Sequence, residues 1–149
     1  MITWSYTVAT ITPAVVYWTP NLTAVSSGPT FRKLQWSGFP EGSGTTLDST
    51  AVGNSVALTL NVAQAGTYAI SYNTKTNSTR GTVQLSINGT NVGPITDQYA
   101  TANNYMTYNL GNFTFTAAGN YSFKFTVAGK NAASSNYSLA WDDIILTPQ

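Results

Sequence analysis

Cysteine and histidine are both missing from the 149 residues. Without cysteine the chain can form no disulfide and has no thiolate nucleophile. Without histidine it has no Ser-His-Asp triad, no Cys-His pair and no histidine metal site. Charge is scarce as well, because 7% of the residues are charged and the formal net charge is +1. A chain so poor in charge lacks the footprint of a protein that binds nucleic acid or anionic membrane, so we predict neither partner and favour a neutral one.

Catalytic motifs are poorly represented too. Glycoside hydrolysis needs two carboxylates about 5 to 9.5 Å apart. The two neighbouring aspartates, Asp142 and Asp143, are predicted to point to opposite faces of a strand. No glycine-rich phosphate loop occurs. We therefore predict that the protein is not an enzyme. Its five acidic residues are Glu41, Asp48, Asp97, Asp142 and Asp143.

The start of the chain, "MITWSYTVAT", has no basic residues followed by an apolar run, so it does not resemble a signal peptide. No apolar stretch is long enough to span a membrane. The low charge and the abundance of Thr, Ser, Asn and Tyr are typical of exported surface domains. We predict an extracellular protein, secreted or surface-displayed, that is cut from a larger precursor or leaves the cell by another route.

Alternating apolar residues predict short β-strands throughout the chain. The clearest are "SVALTLNV", "TYAISYN", "TVQLSIN", "NFTFT" and "YSFKFTV", with further strands in "TWSYTVA", "AVVYW" and "FRKLQW". The "AQAG" break between the first two predicts a hairpin. Seven to nine strands separated by Gly, Asn and Pro turns predict one all-β domain over residues 1–149, an antiparallel two-sheet β-sandwich. Trp4, Trp18 and Trp141 are predicted to lie in its core.

Residues 51–148 carry motifs that together resemble a known family. They are the "AGTY" turn, "RGTVQLSINGT", the pair "LG" and "AAGN" around a strand, and "GKNAASSNY" before "D-x-I-x-L-x-P". In this order they are similar to the galactose-binding-like β-sandwich carbohydrate-binding modules of bacterial polysaccharide-degrading enzymes. The resemblance implies a jelly roll that binds glycan through loops at one end, and a catalytic domain appended in a larger precursor.

Loop aromatics beside loop amides are the candidate binding residues, because sugar C–H groups stack on aromatic rings and sugar hydroxyls need polar partners. The resemblance places "TDQYATANNYMTY" and "GKNAASSNY" near the binding end. Trp36 adjoins a long loop and is interpreted as a stacking platform or a lid over the core. The alternative roles are edge packing for the tyrosines and turn formation for the asparagines. The candidate carbohydrate-binding residues are Tyr99, Tyr105, Trp36, Asn131 and Asn136.

Asp142 matches the aspartate that helps to hold a structural calcium in many relatives of the family. The acidic residue that completes that site in the first strand is missing, because no acid precedes Glu41. Calcium, a basic side chain such as Arg80 or Lys130, and backbone amides therefore all stand as partners. We predict that Asp142 is buried and ionised and favour a metal-free partner, so that no cofactor is required. Asp143 is predicted to lie nearer the exposed edge.

Two functions from different classes follow. The first is a non-catalytic module that binds a polysaccharide or glycan, neutral or weakly acidic, through loop aromatics and amides. The second is a structural or adhesive subunit of a viral particle, tail fibre or extracellular filament, for which sparse charge would suit repeated packing.

Overall fold

The strands follow the alternating pattern closely in the computed structural model, which describes residues 1–9 and 11–149. Side chains alternate between the two faces of a strand, so a period-2 pattern buries one face and leaves the other to solvent. The described residues contain one 3-10 turn, Thr19–Asn21, and no helix long and apolar enough to cross a membrane. Their strands are β1 (Val15–Trp18), β2 (Thr23–Ser26), β3 (Phe31–Gln35), β4 (Ser43–Leu47), β5 (Ser55–Val62), β6 (Gly66–Thr76), β7 (Gly81–Ile87), β8 (Thr90–Asp97), β9 (Asn104–Phe115), β10 (Gly119–Lys130), β11 (Leu139–Trp141) and β12 (Asp143–Pro148).

Antiparallel pairing joins these strands into three sheets. A four-stranded sheet has the order β1-β12-β6-β9, and a five-stranded sheet has the order β2-β5-β10-β7-β8. A small sheet, β11-β4-β3, lies beside them. The predicted all-β antiparallel sandwich is confirmed.

The core lies between the two large sheets. Its side chains come from alternate positions of the central strands, such as Leu58 and Phe125 from one sheet and Ile70 and Ile144 from the other. Trp141 is fully buried against Phe125, with ring centroids 5.0 Å apart. Each such side chain contributes about 1.5 to 3 kcal/mol by leaving water. The hydrophobic effect therefore holds the two sheets face to face.

The predicted hairpin at "AQAG" is wrong. β5 pairs with β2 and β10, whereas β6 pairs with β12 and β9 in the other sheet. The short connection thus crosses from one sheet to the other. Strand alternation is the same in both arrangements, so the pattern could not tell a hairpin from a crossing.

The predicted first strand, "TWSYTVA", is also wrong. The structure has no strand in residues 1–9, and Trp4 is 81% exposed. The alternation there has no neighbouring strand with which to pair, so the predicted core role of Trp4 fails. Trp141 is confirmed as a core residue, whereas Trp18 is half-buried and donates its indole N–H to the carbonyl of Ser43 at 2.9 Å.

Candidate functional site

A polar groove of about 400 Å³ runs between the small sheet and two connections, one between β6 and β7 and one between β10 and β11. Three cationic side chains and a single carboxylate contribute to it. That carboxylate, on Asp48, accepts two hydrogen bonds from Arg32, at 2.7 and 3.2 Å. The groove therefore carries an excess of positive charge. Its lining residues are Arg32, Leu34, Thr46, Asp48, Thr50, Lys75, Asn77, Thr79, Arg80, Asn136 and Ser138.

Arg80 is the most buried cation of the groove, with 4% of its surface exposed. Its Nε donates to the carbonyl of Lys75 at 3.1 Å, and Nη1 donates to the hydroxyls of Thr46 and Ser138 at 3.3 and 3.0 Å. No carboxylate of the described residues forms a salt bridge with it. Burial without a carboxylate partner lowers the pKa of the guanidinium to about 10. The fold thus holds this cation in place with neutral oxygens, and the nearby carboxylate of Asp48, which acts on its charge, is hydrogen-bonded to Arg32 instead.

Two asparagines turn their amide nitrogens toward the groove because their oxygens are already occupied. The Oδ1 of Asn77 accepts from the amide and hydroxyl of Thr79 at 2.9 and 2.8 Å. The Oδ1 of Asn136 accepts from the amide of Tyr137 at 2.9 Å. Asparagine forms such local turns readily. In each residue the donor, Nδ2, is left without a partner among the residues described here, so the groove is lined by hydrogen-bond donors.

Trp36 stands behind the groove and is half-buried. The ammonium of Lys75 lies 4.9 Å from the centre of its indole ring, and Phe39 contacts the ring edge-on at 5.1 Å. A Cβ on Gly38 would lie 2.3 Å from the indole, so only glycine permits this close approach. Trp36 therefore fixes the position of Lys75. Its predicted role as a stacking platform stays a prediction.

Asp142 lies on the other side of this aromatic cluster and is fully buried, as predicted. Its Oδ2 accepts a hydrogen bond from the hydroxyl of Tyr105 at 2.7 Å, and Oδ1 has no partner. Burial, together with the neighbouring charges of Asp143 and Glu41, raises the pKa of this carboxyl to about 6. Burial and the bond to Asp142 raise the pKa of Tyr105 in turn.

The predicted basic partners of Asp142 are wrong. Arg80 bonds within the groove, and Lys130 donates to the carbonyl of Ser134 at 2.6 Å. The nearest polar partner is instead the neutral phenol of Tyr105. Asp143 is half-buried and accepts from the amide of Asn73 at 2.8 Å.

The surroundings of Asp142 do not fit calcium, which takes six to eight oxygen ligands. The hydroxyl of Thr19 donates to the carbonyls of Trp141 and Asp142, at 3.1 and 2.8 Å, and occupies oxygens that a metal would need. Within the part of the chain that the structure describes, no group of three acidic residues could hold an ion. One unpaired carboxylate oxygen is too few.

The remaining predicted residues lie near the groove in two different settings. Asn136 lines the groove. Tyr99 is half-buried and lies next to Asn77 through an isolated β-bridge. Asn131 uses both ends of its amide internally, since it donates to Asp97 at 3.1 Å and accepts from Ala133 at 3.0 Å. The binding roles assigned to these residues, and that of Tyr105, stay predictions.

Sequence reasoning missed Lys75, Asn77 and Arg80 as parts of one site. They lie within "TKTNSTRG", which covers the end of β6 and the short connection to β7. The signal was present, because two cations and an asparagine flank a turn between two apolar strands. It could not be read as a site, since the neighbouring walls of the groove come from distant parts of the chain.

Comparison with known proteins adds a fold relationship to this geometry. No family model matches the sequence, and no curated protein matches it. Among solved structures, part of a Paenibacillus xanthan lyase matches with 30% sequence identity and a TM-score of 0.85 over 90% of this chain. A family 35 carbohydrate-binding module from Clostridium thermocellum matches with 18% identity and a TM-score of 0.63, covering 89% of this chain and 98% of that one. The chain has the fold of a carbohydrate-binding module.

A second module of this fold type matches over a similar length. It is the CBM36-1 domain of a multidomain xylanase from the hindgut metagenome of Trinervitermes trinervoides, with 16% identity, a TM-score of 0.62 and coverage of 91% of this chain and 98% of that domain. The chain spans 13% of the xanthan lyase. It therefore corresponds in length to a whole binding module and to a small part of that enzyme.

Proposed function

We propose that this protein is a non-catalytic carbohydrate-binding module that holds a polysaccharide or glycan in the polar groove. The observation that carries the proposal is the groove itself, in which the side-chain amide nitrogens of Asn77 and Asn136 have no acceptor among the described residues, on a fold shared with family 35 and 36 modules. Its volume of about 400 Å³ falls within the usual range for a small-ligand site. These comparisons do not favour the structural or adhesive alternative.

Sugars suit such a surface because every hydroxyl can accept a hydrogen bond. The unpaired donors of Asn77 and Asn136 lie on two different connections, so a bound glycan would bridge them. The backbone bonds to their oxygens hold both side chains before the ligand arrives, which lowers the entropic cost of binding.

The same groove supports a binding role without catalysis. Hydrolysis would need two carboxylates at the bound sugar, and the groove offers one, which Arg32 already holds. The similarity to part of a xanthan lyase and to a domain of a multidomain xylanase supports a module appended to a catalytic domain and working outside the cell.

Asn136→Asp tests the groove sharply. The substitution keeps the oxygen that caps Tyr137 but replaces the free amide donor with a carboxylate oxygen. We expect affinity for a bound polysaccharide to fall by about tenfold or more, as when a buried polar partner is lost. Affinity electrophoresis over a panel of plant, algal and bacterial polysaccharides would measure it.

Asn112→Asp is the matched control. Asn112 is exposed on β9 and its side chain makes no hydrogen bond in the described structure. It adds the same charge far from the groove and should leave binding unchanged. Failure of the unmodified protein to bind any polysaccharide of a broad panel would refute the proposed function.

A further inference from the structure

The polar groove is lined by three cations and one carboxylate, together with neutral donors and hydroxyls. Arg80, Lys75, Asn77 and Asn136 all offer N–H groups there, and none of these groups is neutralised by a carboxylate. Asp48, the one carboxylate of the lining, is engaged by Arg32. A neutral sugar hydroxyl both donates and accepts but carries no charge, so it would leave the excess positive charge of the groove unpaired. A ligand group that only accepts matches the lining better.

One nitrogen of the Arg80 guanidinium, Nη2, remains available for a ligand. Two of its nitrogens, Nε and Nη1, are used by the protein. The third, Nη2, makes no hydrogen bond within the described structure and is not a sealed, unpaired atom. Because Arg80 lines the groove, this donor faces its solvent. An arginine held rigid with one N–H edge open is prepared to receive an oxyanion.

The hydroxyls that hold Arg80 are themselves fixed. The hydroxyl of Thr46 donates to the carbonyl of Leu139 at 2.9 Å, and that of Ser138 donates to the carbonyl of Thr79 at 2.9 Å. Each therefore turns a lone pair toward the guanidinium. The cation is therefore positioned by neutral oxygens, and no carboxylate of the described residues forms a salt bridge with it.

Lys75 adds a second uncompensated cation beside the first. Burial and the nearby charge of Arg80 both lower the pKa of its ammonium. Its one contact is the indole face of Trp36, and it makes no salt bridge. Two neighbouring cations that disfavour one another would both gain from an anion between them.

We propose that the groove recognises an anionic substituent of its glycan, a carboxylate or a sulfate ester, through Arg80 and Lys75. This rests on the proposed glycan-binding function and names the class of ligand within it. Of the neutral or weakly acidic glycans predicted from the sequence, the groove favours the acidic ones. A net charge of +1 is a sum over the chain and hides a groove in which three cations face one carboxylate.

Matched polymers test the proposal with one chemical change at a time. Polygalacturonate and its fully methyl-esterified form share a backbone and differ in the carboxylate charge, and dextran sulfate and dextran differ in the sulfate ester. We expect at least one charged member to bind about tenfold or more tightly than its neutral partner, the usual effect of a charge-assisted hydrogen bond. Added salt should weaken that binding, because it screens the charges.

Lys75→Gln supplies the variant, since Lys75 is half-buried and its removal relieves a repulsion within the fold. Affinity for the charged polymer should fall about tenfold, a larger loss than for its neutral partner. Lys124→Gln removes the same charge from an exposed position on β10 and should change neither.

The outcomes separate the two proposals. Binding of neutral and charged polymers with equal affinity, unaffected by Lys75→Gln, overturns anion recognition and leaves the glycan-binding function standing. Titration with free glucuronate or inorganic sulfate, followed through the NMR signal of the Arg80 Nε–H, gives the reverse case. Binding of these anions without binding of any polymer would support the anion site and overturn the glycan-binding function.

Discussion

The groove around Arg80 and the buried cluster around Asp142 each contain a charge without a salt-bridge partner. The charge is positive in the groove and negative in the cluster. Arg80 has no carboxylate partner, and Asp142 has no cation. The two are separated by a row of aromatic contacts, in which Trp36 packs on Phe39 and Phe39 packs on Tyr105 at 6.3 Å. A charge without a partner is costly in both places.

Access to solvent makes the difference between them. The spare donor of Arg80 opens into a groove that a ligand can enter, whereas Oδ1 of Asp142 is sealed inside the protein. An unpaired charge that faces solvent can be neutralised by a bound ligand. A buried carboxylate that no ligand can reach is neutralised by a proton, which is why the pKa of Asp142 rises to about 6.

The largest effect is expected from neutralising the sealed carboxylate. The folded protein holds the proton of Asp142 more tightly than the unfolded chain, so this group lowers the free energy of unfolding as the pH rises from about 4 through 6. Asp142→Asn keeps an acceptor for Tyr105 and removes the charge. We expect it to stabilise the protein by up to about 3 kcal/mol at pH 8 and by nearly nothing at pH 3.

Urea unfolding of both proteins at several pH values would measure this difference. Asp143→Asn is the comparison: burial raises the pKa of Asp143 as well, but this half-buried carboxylate keeps its bond from Asn73, so we expect a smaller change. A loss of stability for Asp142→Asn at pH 8 would show that the carboxylate holds a cation after all. This expectation replaces the sequence-based one, in which loss of Asp142 broke a charge pair.

A smaller effect is expected from Tyr105→Phe, which removes the only hydrogen bond that the described structure gives to the Asp142 carboxylate. The loss should be about 1 to 3 kcal/mol at pH 8, where the carboxylate is charged, and less at pH 4. The ring remains, so stacking on a glycan would survive.

Thermal melts and glycan affinity of the same variant then separate two roles for Tyr105. A drop in stability with unchanged affinity supports the structural role of the hydroxyl, and weaker binding with an unchanged melting temperature would show that the hydroxyl contacts the glycan. Tyr99→Phe, at a half-buried tyrosine outside this cluster, is a suitable comparison.

The smallest effect is expected from removing divalent cations. A bound ion stabilises the native state by mass action, so a calcium site would make the melting temperature depend on chelator. Hydroxyl donors fill the neighbourhood of Asp142, and we expect no shift between chelator and excess calcium. A clear rise with calcium would contradict this.

Strand positions could be predicted because alternation is local. The alternation of Val56, Leu58 and Leu60 is enough to predict β5, and that from Tyr121 to Val127 is enough to predict β10. Which sheet each strand joins depends on partner strands that are distant in the sequence. The residues around "AQAG" therefore do not indicate that the chain crosses to the other sheet there. Residues 1–9 show the converse, a clear pattern without a strand.

The site was less predictable for a related reason. Aromatic and amide residues of loops can be picked out by type, and Asn136 was found in this way. The state of Arg80 depends on whether a carboxylate lies within a few ångströms, which is a property of the assembled fold. Sequence alone offered Arg80 as a partner for Asp142, because both needed an opposite charge.

The pairing of the first strand with the last has a mechanical consequence. β1 and β12 lie side by side, with Val15 opposite Leu146, and the chain enters and leaves the sandwich at the same end. Tyr68 of β6 lies opposite Pro148, and Asn77 at the groove follows nine residues later, about 30 Å away at strand spacing. Tension applied through the two ends would separate β1 from β12 one hydrogen-bonded residue pair at a time. The groove lies at the far end of β6, so its structure would be the last to be disturbed by that tension.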